Sequence, residues 1–160
     1  MEAASSRSSI ESIIASLENA PGLIVPLIRE VPPERRKRRP ATTRWSAHEH
    51  ACHLAEVESL FAARLDLLIE EDHPKIVPYN PPAAEDDAAL LKMDLEESME
   101  RLGSLRQKNV ARLRALPPEA WERTAEHPEY ARYSIRIMAR HFALHDLLHA
   151  YRIEEILLAR

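Results

Sequence analysis

Residues 134–158 read SIRIMARHFALHDLLHAYRIEEILL. No proline or glycine interrupts the run, and apolar residues fall on most sides of the helix it predicts. That is the pattern of a helix buried among neighbours or in a dimer contact. His141, His145 and His149 follow one another at i+4 steps, so they line one stripe of that helix. The segment therefore argues for an all-α protein and places titratable, metal-competent side chains on an otherwise apolar element.

A second long helix is expected over about 47–71. Ser46 and Glu49 have the S-x-x-E spacing of a capping box, in which each side chain satisfies an orphan backbone N–H at a helix start. Trp45 precedes the cap as a hydrophobic staple. Leu54, Val57, Phe61, Leu65 and Leu68 supply the apolar stripe. His48, His50 and His53 cluster in the first turns. A first helical region begins near Ser8 or Ser9, with Ile10, Ile13, Ile14 and Leu17 in helical register. Pro21-Gly22 is expected to break it or divide it in two. A third long helix is expected over 85–115, bent near Gly103, and Pro117-Pro118 ends it before a short turn through Trp121. Residues 32–44 and 72–84 are proline-rich connectors. Residues 1–7 are expected to be disordered, and 8–160 to form a single four-helix-bundle domain with short extra helical turns and Pro-rich loops.

The composition agrees. The chain has 160 residues and only 2 glycines, too few for a hairpin-rich sheet protein. Its 22 basic and 26 acidic residues give a net charge of -4, which argues against a nucleic-acid binder. The one basic cluster, residues 34–39, sits between Pro33 and Pro40 and reads as a solvated connector. Cys52 is the only cysteine, which excludes an intramolecular disulfide and suits a reducing cytoplasm. The sequence carries no signal-peptide pattern at its start and no apolar run of roughly 18 residues that would span a membrane.

A metal site needs ligands converging from at least two elements. Two histidines from the last helix and one from the second helix would give three neutral nitrogens and leave positions open for water or substrate, as in catalytic sites. Imidazole suits Zn, Ni, Cu or Fe, so the ligands alone do not pick the metal; Zn or Ni is the expected ion. The competing reading is a set of imidazoles bonded to neighbouring carboxylates.

Trp45-Ser46-x-x-Glu49-x-x-x-His53-Leu54 resembles the W-S-x-x-E-x-x-x-H-L signature of the DinB-like (YfiT-like) superfamily, and His141-x-x-x-His145-Asp146-x-x-His149 resembles its C-terminal motif. His127-Pro128-Glu129-Tyr130 fits too, and the resemblance spans roughly residues 10–158. It implies a four-helix bundle, often dimeric, with a divalent metal on His53, His145 and His149. His141 would line the pocket one turn from His145. Many relatives carry Gln where this chain has Arg152, so the pocket wall is expected to differ there. The superfamily includes S-transferases and isomerases that use low-molecular-weight thiols such as bacillithiol or mycothiol.

Among the other residues, Glu56 lies three places after His53 and is a candidate base or ligand orienter. A solvated or salt-bridged Glu56 is the plainer alternative. His50 is the strongest rival to His53 as a ligand. His48 and His73 are expected to be exposed, and Cys52 is expected to be a small buried hydrophobe. Arg64 and Arg106 are read equally as anion holders or as salt-bridge partners, and Asp146 equally as a structural residue or as a support behind the ligands. The expected function is a metal-dependent enzyme, a thiol S-transferase or a related hydrolase, acting on a small molecule. A homodimer with no nucleic-acid or membrane partner is expected. The alternative is a non-catalytic metal-binding scaffold.

Overall fold

The computed structural model describes residues 2–79 and 88–159. Its helices are α1 (Glu2–Glu30), α2 (Pro33–Arg36), α3 (Ala47–Glu70), α4 (Ala88–Lys92), α5 (Leu95–Ala115) and α6 (Ile135–Leu158), with a 3₁₀ turn at Pro118–Glu122. Among the described residues, β pairing is confined to isolated bridges at Ala41–Arg44, Lys75–Glu126 and Thr124–Ser134. No helix among them is long and apolar enough to cross a membrane.

The four long helices form the bundle. α1 and α3 each pack on both α5 and α6, so the ring order is α1, α5, α3, α6. Consecutive long helices α1 and α3 are therefore diagonal neighbours, as are α5 and α6. A tight turn cannot cross a bundle diagonal, and this is why the proline-rich segments 31–46 and 116–134 are long.

Local chemistry sets the helix ends. The Ser46 hydroxyl accepts from the Glu49 N–H at 3.3 Å, and the Glu49 carboxylate accepts from the Ser46 N–H at 2.8 Å, completing the capping box. Asp94 accepts from the Glu97 N–H at 2.9 Å to start α5. The Ser134 hydroxyl accepts from the Ile137 N–H at 3.3 Å to start α6.

Several sequence expectations need correction. The backbone of α1 is helical from Glu2, so most of the segment expected to be disordered continues that helix; Met1 lies outside the described residues. α1 also runs unbroken through Pro21 and Pro26. Proline at position 21 has no N–H to give the Leu17 carbonyl four residues back. Arg106 from α5 fills that gap, its Nη1 donating to the Leu17 oxygen at 2.7 Å. The helix expected over 85–115 is two helices separated at Met93-Asp94, and residues 85–87 lie outside the described residues. The basic cluster is more than a solvated loop. Arg35 donates to the Ile156 and Ala159 carbonyls at the end of α6, each at 2.8 Å, where the helix dipole favours a cation. Arg39 pairs with the buried Glu49 carboxylate.

Two apolar clusters fill the interior. One gathers Leu17, Val57, Phe61, Leu65, Val110, Leu113, Met138 and Phe142 with their neighbours. The other gathers Ile24, Ile28, Ala51, Leu54, Met99, Leu102 and Ile153 with theirs. The chain passes from one to the other at residues 17–20, 55–57, 102–110 and 143–150, and these junctions hold the buried polar groups Glu58, Arg106, Asn109, Asp146 and His149. The bundle thus carries a polar layer between two oily halves.

Candidate metal centre

α3 presents His53 and α6 presents His145 and His149 toward one point. The Nε2 atoms of His53 and His145 lie 3.2 Å apart, and those of His145 and His149 lie 3.0 Å apart. Four residues advance a helix slightly more than one turn, which brings the two α6 rings to 4.3 Å between centroids. Tetrahedral coordination at a metal–nitrogen distance near 2.0–2.1 Å sets ligand nitrogens roughly 3.3 Å apart. The His53–His145 and His145–His149 spacings match that value, and the ligand atoms of all three residues lie within 4.8 Å of one another.

The electrostatics agree with the geometry. Burial pushes His53 and His145 down to about 4, with His50 adding to the effect on His53 and His53 adding to the effect on His145. Burial first, and then His145 and His53, push His149 down to about 2. All three imidazoles are therefore neutral at pH 7, the form that ligates. Neutral nitrogens facing one another in a closed space cannot all be satisfied by mutual hydrogen bonds, since each contact needs one N–H and one lone pair. A cation at the centre satisfies all three. Among the described residues these three also form the one group of His, Cys, Asp and Glu side chains close enough to share an ion.

His50, the rival ligand, takes a different place. Its Nδ1 lies 2.8 Å from the Nδ1 of His149, on the side of the ring away from the centre. With His149 Nδ1–H donating to His50 Nδ1, the Nε2 lone pair of His149 points inward, the arrangement by which an outer partner orients a metal ligand. The Trp45 ring closes this side, 4.8 Å from His53 and 5.9 Å from His149 between centroids. Trp45 is therefore a wall of the site as well as a staple.

The opposite side is open. His53 and His145 border a cavity of about 180 Å³ whose walls include Arg64, His127, Tyr133 and His141. Its remaining surface is largely Val57, Leu60 and Phe142 on the helices, with Tyr79 and Tyr130 from the connectors. His141 lies on this wall, in edge contact with Tyr130 at 5.7 Å. Arg152 lies elsewhere: with Trp45, Arg44 and His50 it lines a separate cavity of about 290 Å³ behind the histidines, and its guanidinium pairs with Glu155 at 2.6 Å.

Glu56 is not part of the site. It is half-exposed and paired with Arg101 of α5. Three residues after His53 place it about 60° around the helix, enough to turn it onto the flank facing α5. His48 is buried rather than exposed, its Nε2 3.1 Å from the Leu90 carbonyl and 3.5 Å from the Cys52 sulfur. Burial raises the Cys52 thiol, and the residue sits as an inert core side chain. His73 is exposed.

Asp146 and Arg106 belong to a buried cluster next to the histidines. Arg106 donates to Glu58 at 2.6 and 2.8 Å and to Asp146 at 2.7 and 3.1 Å, while Asn109 donates to Glu58 at 2.9 Å. Burial alone would lower the Arg106 pKa; the Asp146 and Glu58 carboxylates more than reverse this and hold the guanidinium charged. This cluster ties α1, α3, α5 and α6 together around the element that carries two of the three histidines.

Sequence reasoning did not assign roles to His127 and Tyr133, which the connector 116–134 folds back over the cavity. It placed His127 only through its motif. The role of His50 was hidden because spacing along α3 cannot tell a ligand from a ligand's partner.

A four-helix bundle with a buried three-imidazole centre beside an open cavity defines the class. The chain belongs to the DinB superfamily, whose sequence profile matches residues 16–153. Among solved structures it is similar to one described as "YfiT from Bacillus subtilis is a probable metal-dependent hydrolase with an unusual four-helix bundle topology", at 20% identity and a TM-score of 0.79, covering 92% of this chain and 85% of that one. Among curated proteins no relative matches.

Proposed function

We propose that this protein is a metal-dependent enzyme in which His53, His145 and His149 hold a divalent ion, zinc or nickel first, beside the cavity that receives a small-molecule substrate. A bound ion supplies Lewis acidity and lowers the pKa of a water or thiol beside it, so that the nucleophile exists at neutral pH. The observation that carries the reading is the convergence of three neutral imidazoles, His53 and His149 buried and His145 half-buried, on one point beside the cavity. His50 holds the His149 ring in place, and Trp45 keeps water from reaching the centre from behind. Among the described residues, no serine or accessible cysteine borders the cavity as a rival nucleophile. Attack by a low-molecular-weight thiol on an electrophile is the reaction proposed first, and hydrolysis second; the description of the Bacillus subtilis protein as a probable hydrolase supports keeping both.

The test is direct. The metal-loaded protein is assayed for consumption of an electrophile panel with and without small thiols, beside His149→Ala. Thiol-stimulated turnover lost in the variant supports transfer, and thiol-independent ester or amide cleavage supports hydrolysis. A metal-loaded protein inert in both would leave the scaffold reading. We also propose a homodimer, because Leu144, Leu147, Leu148 and Tyr151 form an exposed apolar stripe on α6. Sedimentation across a range of concentrations tests it.

A further inference from the structure

His53, Val57, Leu60 and Arg64 follow the i, i+4, i+7, i+11 pattern on α3, and all four line the cavity beside the metal centre. Eleven residues return a helix to within about 20° of the starting direction and advance it roughly 16 Å. The cavity therefore runs lengthwise along one stripe of α3, with the imidazole centre at one end and a guanidinium at the other. Helical side chains lean toward the N-terminus, so the Arg64 head reaches back toward His53 and shortens the gap to the order of 10 Å.

Arg64 differs from Arg106, the other arginine weighed as an anion holder. Arg106 is saturated by two carboxylates and a backbone carbonyl. Arg64 has no carboxylate partner among the described residues. Its Nη2 donates to the Val77 carbonyl at 3.1 Å, its Nη1 makes a long contact of 3.4 Å to the Tyr133 hydroxyl, and its Nε is buried with no partner among the described residues. A guanidinium in a cleft with an unsatisfied buried donor is costly unless something accepts from it. Glu129, the one carboxylate lining the cavity among the described residues, makes no ion pair with it. The remaining ionisable groups on the wall, His127 and His141, add no negative charge. Between the two ends the wall is apolar and aromatic, formed by Val57, Leu60, Phe142 and Tyr133.

We propose that Arg64 is the anion anchor of the substrate pocket: the ligand is a small molecule with a carboxylate at the Arg64 end, a short apolar middle and its reacting group at the histidine end. Arginine presents two parallel donors to a carboxylate, and the Tyr133 hydroxyl adds a third. This deepens the functional reading above and rests on it for the reacting end only.

The probes are hexanoate, hexanol and hexylamine, with binding followed by amide NMR shifts of the intact protein. Parent, Arg64→Met and Arg64→Lys are each studied metal-free and zinc-loaded. In the metal-free parent, hexanoate is expected to bind about tenfold or more tighter than hexanol and hexylamine, with shifts at residues 57–64 and 133. Arg64→Met should weaken hexanoate about tenfold or more without changing hexanol, and Arg64→Lys should fall between, since it keeps charge without the fork. Thermal melting of each variant checks folding, with Arg64→Lys as the milder change should Arg64→Met prove unstable. Equal hexanoate affinity in parent and Arg64→Met, no preference for hexanoate over hexanol, or no hexanoate binding would each overturn the assignment. Zinc stoichiometry is measured on the same samples. Zinc binding together with hexanoate binding that does not depend on Arg64 sinks the anchor alone, whereas Arg64-dependent hexanoate binding without zinc binding sinks the metal-enzyme reading and leaves the anchor.

Discussion

Two buried polar groups sit side by side in the layer between the apolar halves, and they are built in opposite ways. In the Arg106 cluster the donors meet acceptors: Arg106 donates to two carboxylates and to the carbonyl that Pro21 leaves free, and Asn109 donates to Glu58. In the histidine cluster the acceptors point at one another, and the buried Nδ1 atoms of His53 and His145 have no partner among the described residues. Both share α3 and α6, and Asp146 lies between His145 and His149 in sequence. A saturated cluster holds helices in place, whereas an unsaturated one is shaped for something it does not contain.

The sharpest way to break the comparison is to unsaturate the saturated side. Arg106→Met leaves Glu58 and Asp146 as buried carboxylates without a counter-charge, each only 1% exposed. Removing one partner of a buried pair costs on the order of 3–5 kcal/mol. Urea unfolding should show a loss of that size with or without zinc; a loss under about 1 kcal/mol would mean that the cluster contributes little.

The reverse change is expected on the histidine side. His149→Ala removes a ligand and should abolish zinc binding while leaving the metal-free fold near parental stability. The parent should gain about 4 kcal/mol at a zinc concentration 1,000 times its dissociation constant, and the variant nothing. Elemental analysis beside melting curves checks both, and about one zinc per chain in His149→Ala would remove it from the ligand set.

Acid should separate the two clusters next. Each ligand histidine has its folded pKa lowered from 6.5, to about 4 for His53 and His145 and about 2 for His149. Below pH 6.5 the unfolded chain takes up protons that the folded chain refuses. Stability of the metal-free protein should therefore be full above about 6.5 and fall as the pH drops toward 4. Zinc binding should shift this loss to lower pH. A flat profile between pH 7 and 4.5 in the metal-free protein would show that the imidazoles are not buried as described.

Smaller effects sharpen the boundary of the site. His50→Ala removes the group that orients His149 and should weaken zinc about 10–100-fold without abolishing it. Isothermal titration with zinc measures this, and an unchanged affinity would reduce His50 to packing. Glu56→Gln should do least. Its pairing with Arg101 is solvent-screened and contributes about 0.5 kcal/mol or less, and turnover on any substrate found should be unchanged. A large fall in rate would restore Glu56 as a base.

Much of this molecule is legible in the chain itself. Local periodicity determines it: the i+4 histidines of α6, the Ser46–Glu49 capping box and the apolar stripe of α3 each depend on residues within a few turns of one another. Proline-rich connectors and scarce glycine determine that the protein is helical. Only the tertiary structure decided which histidine of the first cluster faces the His145–His149 pair and which one backs the His149 ring, because His50 and His53 differ in their angle to α6 and not in any local pattern. The same holds for the arginines. Arg106 meets carboxylates from two other helices and a carbonyl that Pro21 frees on a third, whereas Arg64 meets none among the described residues, and no spacing along α3 or α5 encodes that. It also holds for Glu56, which the ring order of the helices turns toward Arg101. Secondary structure follows from short-range chemistry, whereas the satisfaction of a buried charge depends on partners 40 or more residues away in the chain.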